Sequence, residues 1–362
     1  MKRRTILLLA ALAMSTALVA CGKETAEETQ QEQEIVGEVD GTEIGDELFG
    51  ETVDGKYRSE LTNEWIDDSL KNQRPIAAMV DNESIALPHY GLSEADVVYE
   101  MMNSTENGRI TRFMALFKDY ESIDQIGSIR SVRPTNVILS AEWNAILCHD
   151  GGPFYIDEYL AEPSTDNFSG TFSRVDNGKP REYTEYILEG DMDNNFENSK
   201  VDREYNSYYE GPHYLFADEQ NPVDLSANTD AVDASLVDLP FPHNGSYLEY
   251  DADAQLYNYF EYGKAHLDPG NDDKQMAFKN LLIQSCGFTQ YDENGYMIFD
   301  CISEGGGYYV TNGKAIPVTW EKKSMTEPTR YYDANGAEIS LNTGKTYVAL
   351  VPVDDWTDLV IE

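Results

Sequence analysis

Two arginines three residues apart, Arg130 and Arg133, stand in the run Gly127-Ser-Ile-Arg-Ser-Val-Arg-Pro134. Ser128 and Ser131 supply hydroxyls beside them, and Pro134 pushes Arg133 toward an extended backbone. A helix is expected over 135–143, with Thr135 placed to cap it. Guanidinium groups beside the free N–H groups of a helix start suit a phosphate or a carboxylate. A surface turn whose arginines pair with nearby acids is the other reading. Four further groups fall at the ends or in the middle of apolar runs. Asp81 closes 76–80, Glu100 lies within 95–102, Arg112 lies within 109–117, and His149 follows 145–148 ahead of Gly151-Gly152. These types fit Asp81, Glu100 and His149 as acid–base groups, with Arg112, Arg130 and Arg133 holding an anion. Cys148 adjoins His149, but neighbouring strand residues point to opposite faces, which argues against a thiol–imidazole pair.

The elements that must carry these groups are strands. The run 76–80 is continuously apolar, as in a strand buried on both faces. In 95–102, alternation places Val98, Glu100 and Met102 on one face. In 109–117 it places Arg112 beside Ile110, Met114 and Leu116. An arginine on an apolar face needs a partner, and Glu100 on the neighbouring run is the expected one. A ligand-binding arginine at a sheet end is the alternative. The expected fold class is an α/β (or α+β) N-terminal domain with a mixed sheet over 73–229, then a mainly β C-terminal domain over 230–362.

Between 153 and 225 the periodicity is weak. Asp191-Met-Asp193-Asn-Asn195 resembles the start of a calcium loop, but Phe196 stands where glycine is required and Asp202 where glutamate is. A solvated loop is the expectation there. Arg203 and His213 either line the same site or sit in loops. From about 230, Asn294-Gly295, Asn312-Gly313 and Asn335-Gly336 mark hairpin turns between apolar runs. Cys286 and Cys301 flank the first of these. With a turn at Asn294-Gly295, Cys301 lies opposite Phe288 and one diagonal from Cys286, close enough to a disulfide that a small register change would allow it. The cysteine spacing does not suit a metal site, and no cofactor motif is complete, so no metal and no cofactor are expected.

The N-terminus gives an address. Lys2, Arg3 and Arg4 precede an apolar stretch, and Leu18-Val-Ala-Cys21 ends it, which reads as a signal peptide over 1–20 with Cys21 as the lipid acceptor. The segment 24–55 holds no lysine or arginine and is expected to be an acidic tether, with 21–72 leading into the first domain. Leu61, Trp65 and Leu70 suggest a short helix within 57–72. Lys+Arg 26 against Asp+Glu 66 gives a formal net charge of −40, which repels nucleic-acid backbones. The expected location is the extracytoplasmic face of the cell membrane, held by lipid.

Five blocks in order, RPIAAMVDN, GLSEADVVYE, ITRFMALF, IGSIRSVRP and AILCHDGG, resemble the YerB-like lipoproteins of Gram-positive bacteria across roughly residues 73 to 362. The resemblance implies lineage and location; the family carries no firmly assigned reaction. Cys148 and Tyr259 depart from the family's usual residues, with arginine usual at the latter position. The strand-borne Asp, central Arg, Arg-rich loop and Gly-Gly turn also resemble the arrangement in LytR-CpsA-Psr wall-polymer ligases, which hold a polyprenyl pyrophosphate, although none of their motifs is complete here. Two functional expectations follow. One is a non-enzymatic envelope lipoprotein binding peptidoglycan, another wall polymer or a wall-synthesis protein. The other is an enzyme acting on an anionic envelope substrate by phosphoryl or glycosyl transfer or hydrolysis.

Overall fold

The computed structural model describes residues 50–362. The signal segment, Cys21 and most of the acidic tether lie outside the described residues. The apolar runs of the N-terminal region form strands with no exposed residue: β1 (Ile76–Asp81), β2 (Val97–Met102) and β3 (Thr111–Phe117). β4 (Ile146–His149) and β5 (Asp166–Ser169) complete this part of the sheet. β2, β3 and β1 pair antiparallel, whereas β1, β4 and β5 run parallel, so the sheet is mixed. Helix α1 (Pro134–Ala141) precedes β4, and all eight of its residues are buried.

The C-terminal region is mainly β. Its strands β6 (Val232–Asp233), β7 (Asn280–Cys286), β8 (Glu304–Thr311), β9 (Lys314–Glu321), β10 (Arg330–Tyr332) and β11 (Thr346–Pro352) extend the same sheet. The order is β6-β9-β8-β7-β11-β2-β3-β1-β4-β5, with β10 beside β9. β11 runs parallel to β7 on one side and to β2 on the other. The two halves of the sequence therefore meet through a hydrogen-bonded strand pair, in which Ala349 faces Glu100.

A second sheet of six strands is built from the C-terminal half alone. Its strand Leu256–Glu261 alternates, so that Tyr257, Tyr259 and Glu261 point inward. Tyr262 and Gly263 both take positive φ (50° and 68°), the signature of a tight two-residue hairpin loop, and Glu261 pairs with Lys264 across it.

One irregularity positions the arginines. β1 and β4 pair from Ile76 and Ile146 only as far as Ala78 and Cys148. Beyond that point the strands part, and the segment after Gly127 fills the gap. Arg130 N donates to Met79 O (2.8 Å) and Asp150 N donates to Arg130 O (3.0 Å). Gly127 has φ +137°, and a Cβ there would lie 2.9 Å from Ile129 N and 3.0 Å from Tyr186, so only glycine fits this entry point.

Four local expectations are corrected. The segment 57–72 is a hairpin, Lys56–Arg58 against Trp65–Asp67, rather than a helix. Asn63 at φ 59° turns the chain back, and Tyr57 and Leu61 are buried by the tertiary contacts of that turn. Arg133, not Thr135, is the residue before α1, because Pro134 fits the first helical position; Arg133 N donates to Asn136 Oδ1 at 2.9 Å, and Thr135 Oγ1 accepts from Phe299 N at 3.0 Å. Asp191–Glu197 is a helix, where Asp191 accepts from the backbone N–H groups of Ser173 and Leu188, rather than a loop. The hairpin after Cys286 pairs Phe288 with Phe299, not with Cys301. Its loop is longer than Asn294-Gly295, since Asp292 Oδ1 accepts from the N–H groups of Asn294 and Tyr296. Cys286 and Cys301 are both buried and stand as free thiols in this structure, as does Cys148.

Candidate anion-binding site

Asp81 and Arg112 face each other across the β1–β3 ladder, so their side chains emerge on one face. Arg112 Nη2 donates to Asp81 Oδ2 at 3.2 Å and Arg130 Nε donates to the same oxygen at 2.7 Å. Glu100 is therefore not the partner of Arg112. The β2–β3 register sets Met101 opposite Arg112 and Glu100 opposite Phe113, which places Glu100 on the other face of the sheet. Burial acts to raise the Asp81 pKa, but the two guanidiniums outweigh it and hold the carboxyl below its ordinary range. Asp81 is an ionised counter-charge rather than a base.

Arg133 has a different environment. It is 7% exposed, its Nη1 donates only to Val132 O (2.9 Å), and its Nε has no hydrogen-bond partner. Its guanidinium lies over the Tyr296 ring at 4.0 Å. Among the described residues no carboxylate pairs with it. Burial first, and then repulsion from Arg112, lower its pKa to about 10. Arg112 Nη1 donates to Ser131 O (2.8 Å), and its Nε also lacks a partner. Arg130 reaches solvent and meets the exposed Glu182 at 3.2 Å. Two of these three neighbouring guanidiniums thus share one buried carboxylate and one exposed one, the third has none, and unused donors remain on Arg112 and Arg133. That is an excess of positive charge in a chain that is otherwise acidic. The structure brings together Asp81, Arg112, Arg130 and Arg133.

It does not bring Glu100 or His149 to them. Glu100 is fully buried at the join between the halves, where it accepts hydrogen bonds from Asn82, Thr111, Asn244, Tyr259 and Tyr347 at 2.6–3.1 Å. Burial raises its pKa. His149 is 1% exposed, with Nδ1 2.9 Å from Gly151 O and Nε2 3.2 Å from Asn167 Oδ1. Burial lowers its pKa, and both nitrogens are committed. Arg203 pairs with Glu121 and Asp193, while His213 stacks on Trp143 (3.8 Å), so these two do not share a site.

Sequence reasoning missed two groups. Next to the arginine segment, Arg174 bridges Asp150 and the buried Glu185, and Glu185 is pushed up to about 7 by burial and by its hydrogen bond with Asp150. Beyond Asp81, the buried residues His89, Glu261 and His266 bring one ligand atom each to within 4.8 Å of one another. Alternation with Tyr257 and Tyr259 marked Glu261 as inward-facing, but nothing local linked it to His89, 172 residues earlier (261 − 89).

Residues 61–202 match the family model described as protein of unknown function (DUF3048), N-terminal domain, and residues 237–348 match that of the C-terminal domain. The chain is 26% identical over 320 residues to the protein named "Putative lipoprotein YerB" of Bacillus subtilis (strain 168), covering 84% of this chain and 86% of that one. The chain belongs to the YerB-like family. The crystal structure of YerB protein from Bacillus subtilis shares the fold of this YerB-like chain, with a TM-score of 0.70 over 84% of this chain and 99% of that one, at 23% identity. No helix among the described residues is long and apolar enough to cross a membrane.

Proposed function

We propose that this YerB-like chain is a lipid-anchored protein of the extracytoplasmic membrane face that binds a phosphate or pyrophosphate group of an envelope ligand. Wall polymers and their lipid-linked precursors carry such groups. The observation that carries the reading is that Arg133, which lacks any carboxylate partner among the described residues, lies close enough to Arg112 and Arg130 to feel their charge, while those two already share the one buried carboxylate of Asp81. Leaving a buried guanidinium without a counter-charge is costly, and an anion removes that cost. Arginine also matches phosphate oxygens with paired donors. Binding is favoured over catalysis because Asp81, Glu100 and His149 are each committed elsewhere: Asp81 to two arginines, Glu100 to neutral donors, His149 to contacts with Gly151 O and the Asn167 side chain.

The test is calorimetric titration of the full chain with pyrophosphate. The wild type binds, and Arg130→Met and Arg133→Met each weaken binding at least tenfold. Absence of binding, or affinity unchanged in both variants, overturns the proposal.

A further inference from the structure

We propose that His89, Glu261 and His266 form a binding site for a divalent transition metal of the zinc class, at the point where the two halves of the chain meet. The three residues come from separate elements. His89 lies in the connection from β1 to β2, Glu261 ends an inward-alternating strand, and His266 follows the short strand that pairs back on it. All are essentially solvent-free, at 0%, 2% and 3% exposure. Glu261 Oε1 lies 2.9 Å from His266 Nδ1, and the His89 and His266 rings are 5.0 Å apart. Two imidazoles and one carboxylate are a ligand set that zinc accepts, with room for a further ligand. The ligand atoms lie within 4.8 Å of one another, so an adjustment of about 1 Å brings them to the spacing zinc requires.

Two independent features point to a cation site. The first is unmet hydrogen bonding. Neither nitrogen of His89 makes a well-formed hydrogen bond, and His266 Nε2 makes none, although buried polar atoms are normally paired. The second is charge. Glu100 and Glu261 are both buried, and Asn244 Nδ2 touches both, at 2.8 and 3.4 Å. Among the described residues neither carboxylate pairs with a lysine or arginine, whereas the nearby Asp81 has two arginines of its own. A divalent ion at the histidines would balance this pair. The surroundings would hold the ligands in place. Phe113 packs edge-on against both imidazoles, and Tyr259 packs against His266. A cleft of about 470 Å³ lined by Pro88, Tyr262, Glu261 and His266 gives a path to two of the three ligands.

The experiment uses the full chain, stripped with a chelator and then titrated with zinc against a chromophoric competitor, with cobalt as a spectroscopic probe. The expected result is one zinc per chain, a visible cobalt spectrum of tetrahedral or five-coordinate type, and at least a tenfold loss of zinc affinity in His89→Phe and in Glu261→Gln. His89→Phe keeps the buried volume and removes the ligand, so its fold is checked by circular dichroism. Less than a tenth of an equivalent bound to the wild type overturns the inference, as does a cobalt spectrum of six-coordinate aquo type. Zinc affinity unchanged in a folded His89→Phe also overturns it.

Discussion

Two buried ionic clusters in this protein use the same residue types toward different ends. Glu142 and Lys322 are each fully buried, with Nζ to Oε2 at 2.9 Å. The remaining capacity of Glu142 is taken by Tyr99, by the Thr329 hydroxyl and N–H, and by contact with His213 at 3.1 Å. Lys322 spends its other donors on Met325 O and Glu327 O. The Glu142–Lys322 pair is charge-balanced with its hydrogen bonds filled, and it ties α1's C-terminal end to the end of strand β9. The Asp81 cluster pairs two guanidiniums with one buried carboxylate, sets a third, Arg133, near them without a carboxylate of its own, and leaves two Nε atoms unused. The comparison teaches that burial and a short ion pair do not by themselves mark a site. A surplus of one sign with unspent donors does.

The comparison can be broken in several places. Glu142→Ala should show the largest effect, since it strands Lys322 where no solvent reaches. A loss of about 3–5 kcal/mol in urea unfolding is expected, with pyrophosphate affinity of the folded protein unchanged. If pyrophosphate binding fell as well, the two clusters would not be separable. Arg133→Met should do the opposite. Pyrophosphate affinity should fall by about 1.4 kcal/mol or more, a factor of ten, while unfolding free energy stays within about 1 kcal/mol of wild type because no carboxylate pair is broken. Substantial destabilisation would make Arg133 a structural residue.

Smaller effects sharpen the contrast. The Glu185 carboxyl, ordinarily near 4.5, is pushed up to about 7 in the folded protein by burial and by Asp150. The folded state therefore holds this proton more tightly than the unfolded chain. The stability it contributes is complete below about 4.5 and is lost as pH rises through about 7. Glu185→Gln, which stays neutral, should gain in melting temperature relative to wild type between pH 5 and pH 8. A constant offset across that range would show that the pair does not share a proton. The smallest change is expected for Arg58→Ala. Arg58 and Glu219 form an ion pair at 2.7 Å with side chains 29% and 48% exposed, so the loss should be about 0.2–1 kcal/mol. A greater loss would mean that packing of Arg58 over Trp65, at 4.2 Å, matters more than its charge.

Much of the fold was legible because its signals are local. Unbroken apolar runs such as 76–80 and 113–117 have few ways to be buried other than as interior strands, and they are interior strands. The arginines of the 127–134 run stood out by type and spacing, and the structure places Arg130 and Arg133 near Arg112. The partner of Arg112 was misassigned, because the choice between Asp81 and Glu100 depends on register, and a shift of one residue reverses the face. The short helix expected in 57–72 failed for a related reason. Leu61 is buried by a turn rather than by a helical stripe, and three apolar residues at loose spacing do not tell the two apart.

By itself the sequence determined the interior strands, the arginine-bearing loop and the family to which the chain belongs, because each is written in neighbouring residues. Only the tertiary structure decided that β11 joins the halves into one sheet, that Asp81 rather than Glu100 answers Arg112, and that His89 meets Glu261 and His266. The physical reason in the first two cases is strand register; in the third it is the packing of a connecting loop against the second sheet. Strand pairing couples residues far apart in the chain through backbone hydrogen bonds that carry no sequence identity, so only the folded register reveals which side chains share a face.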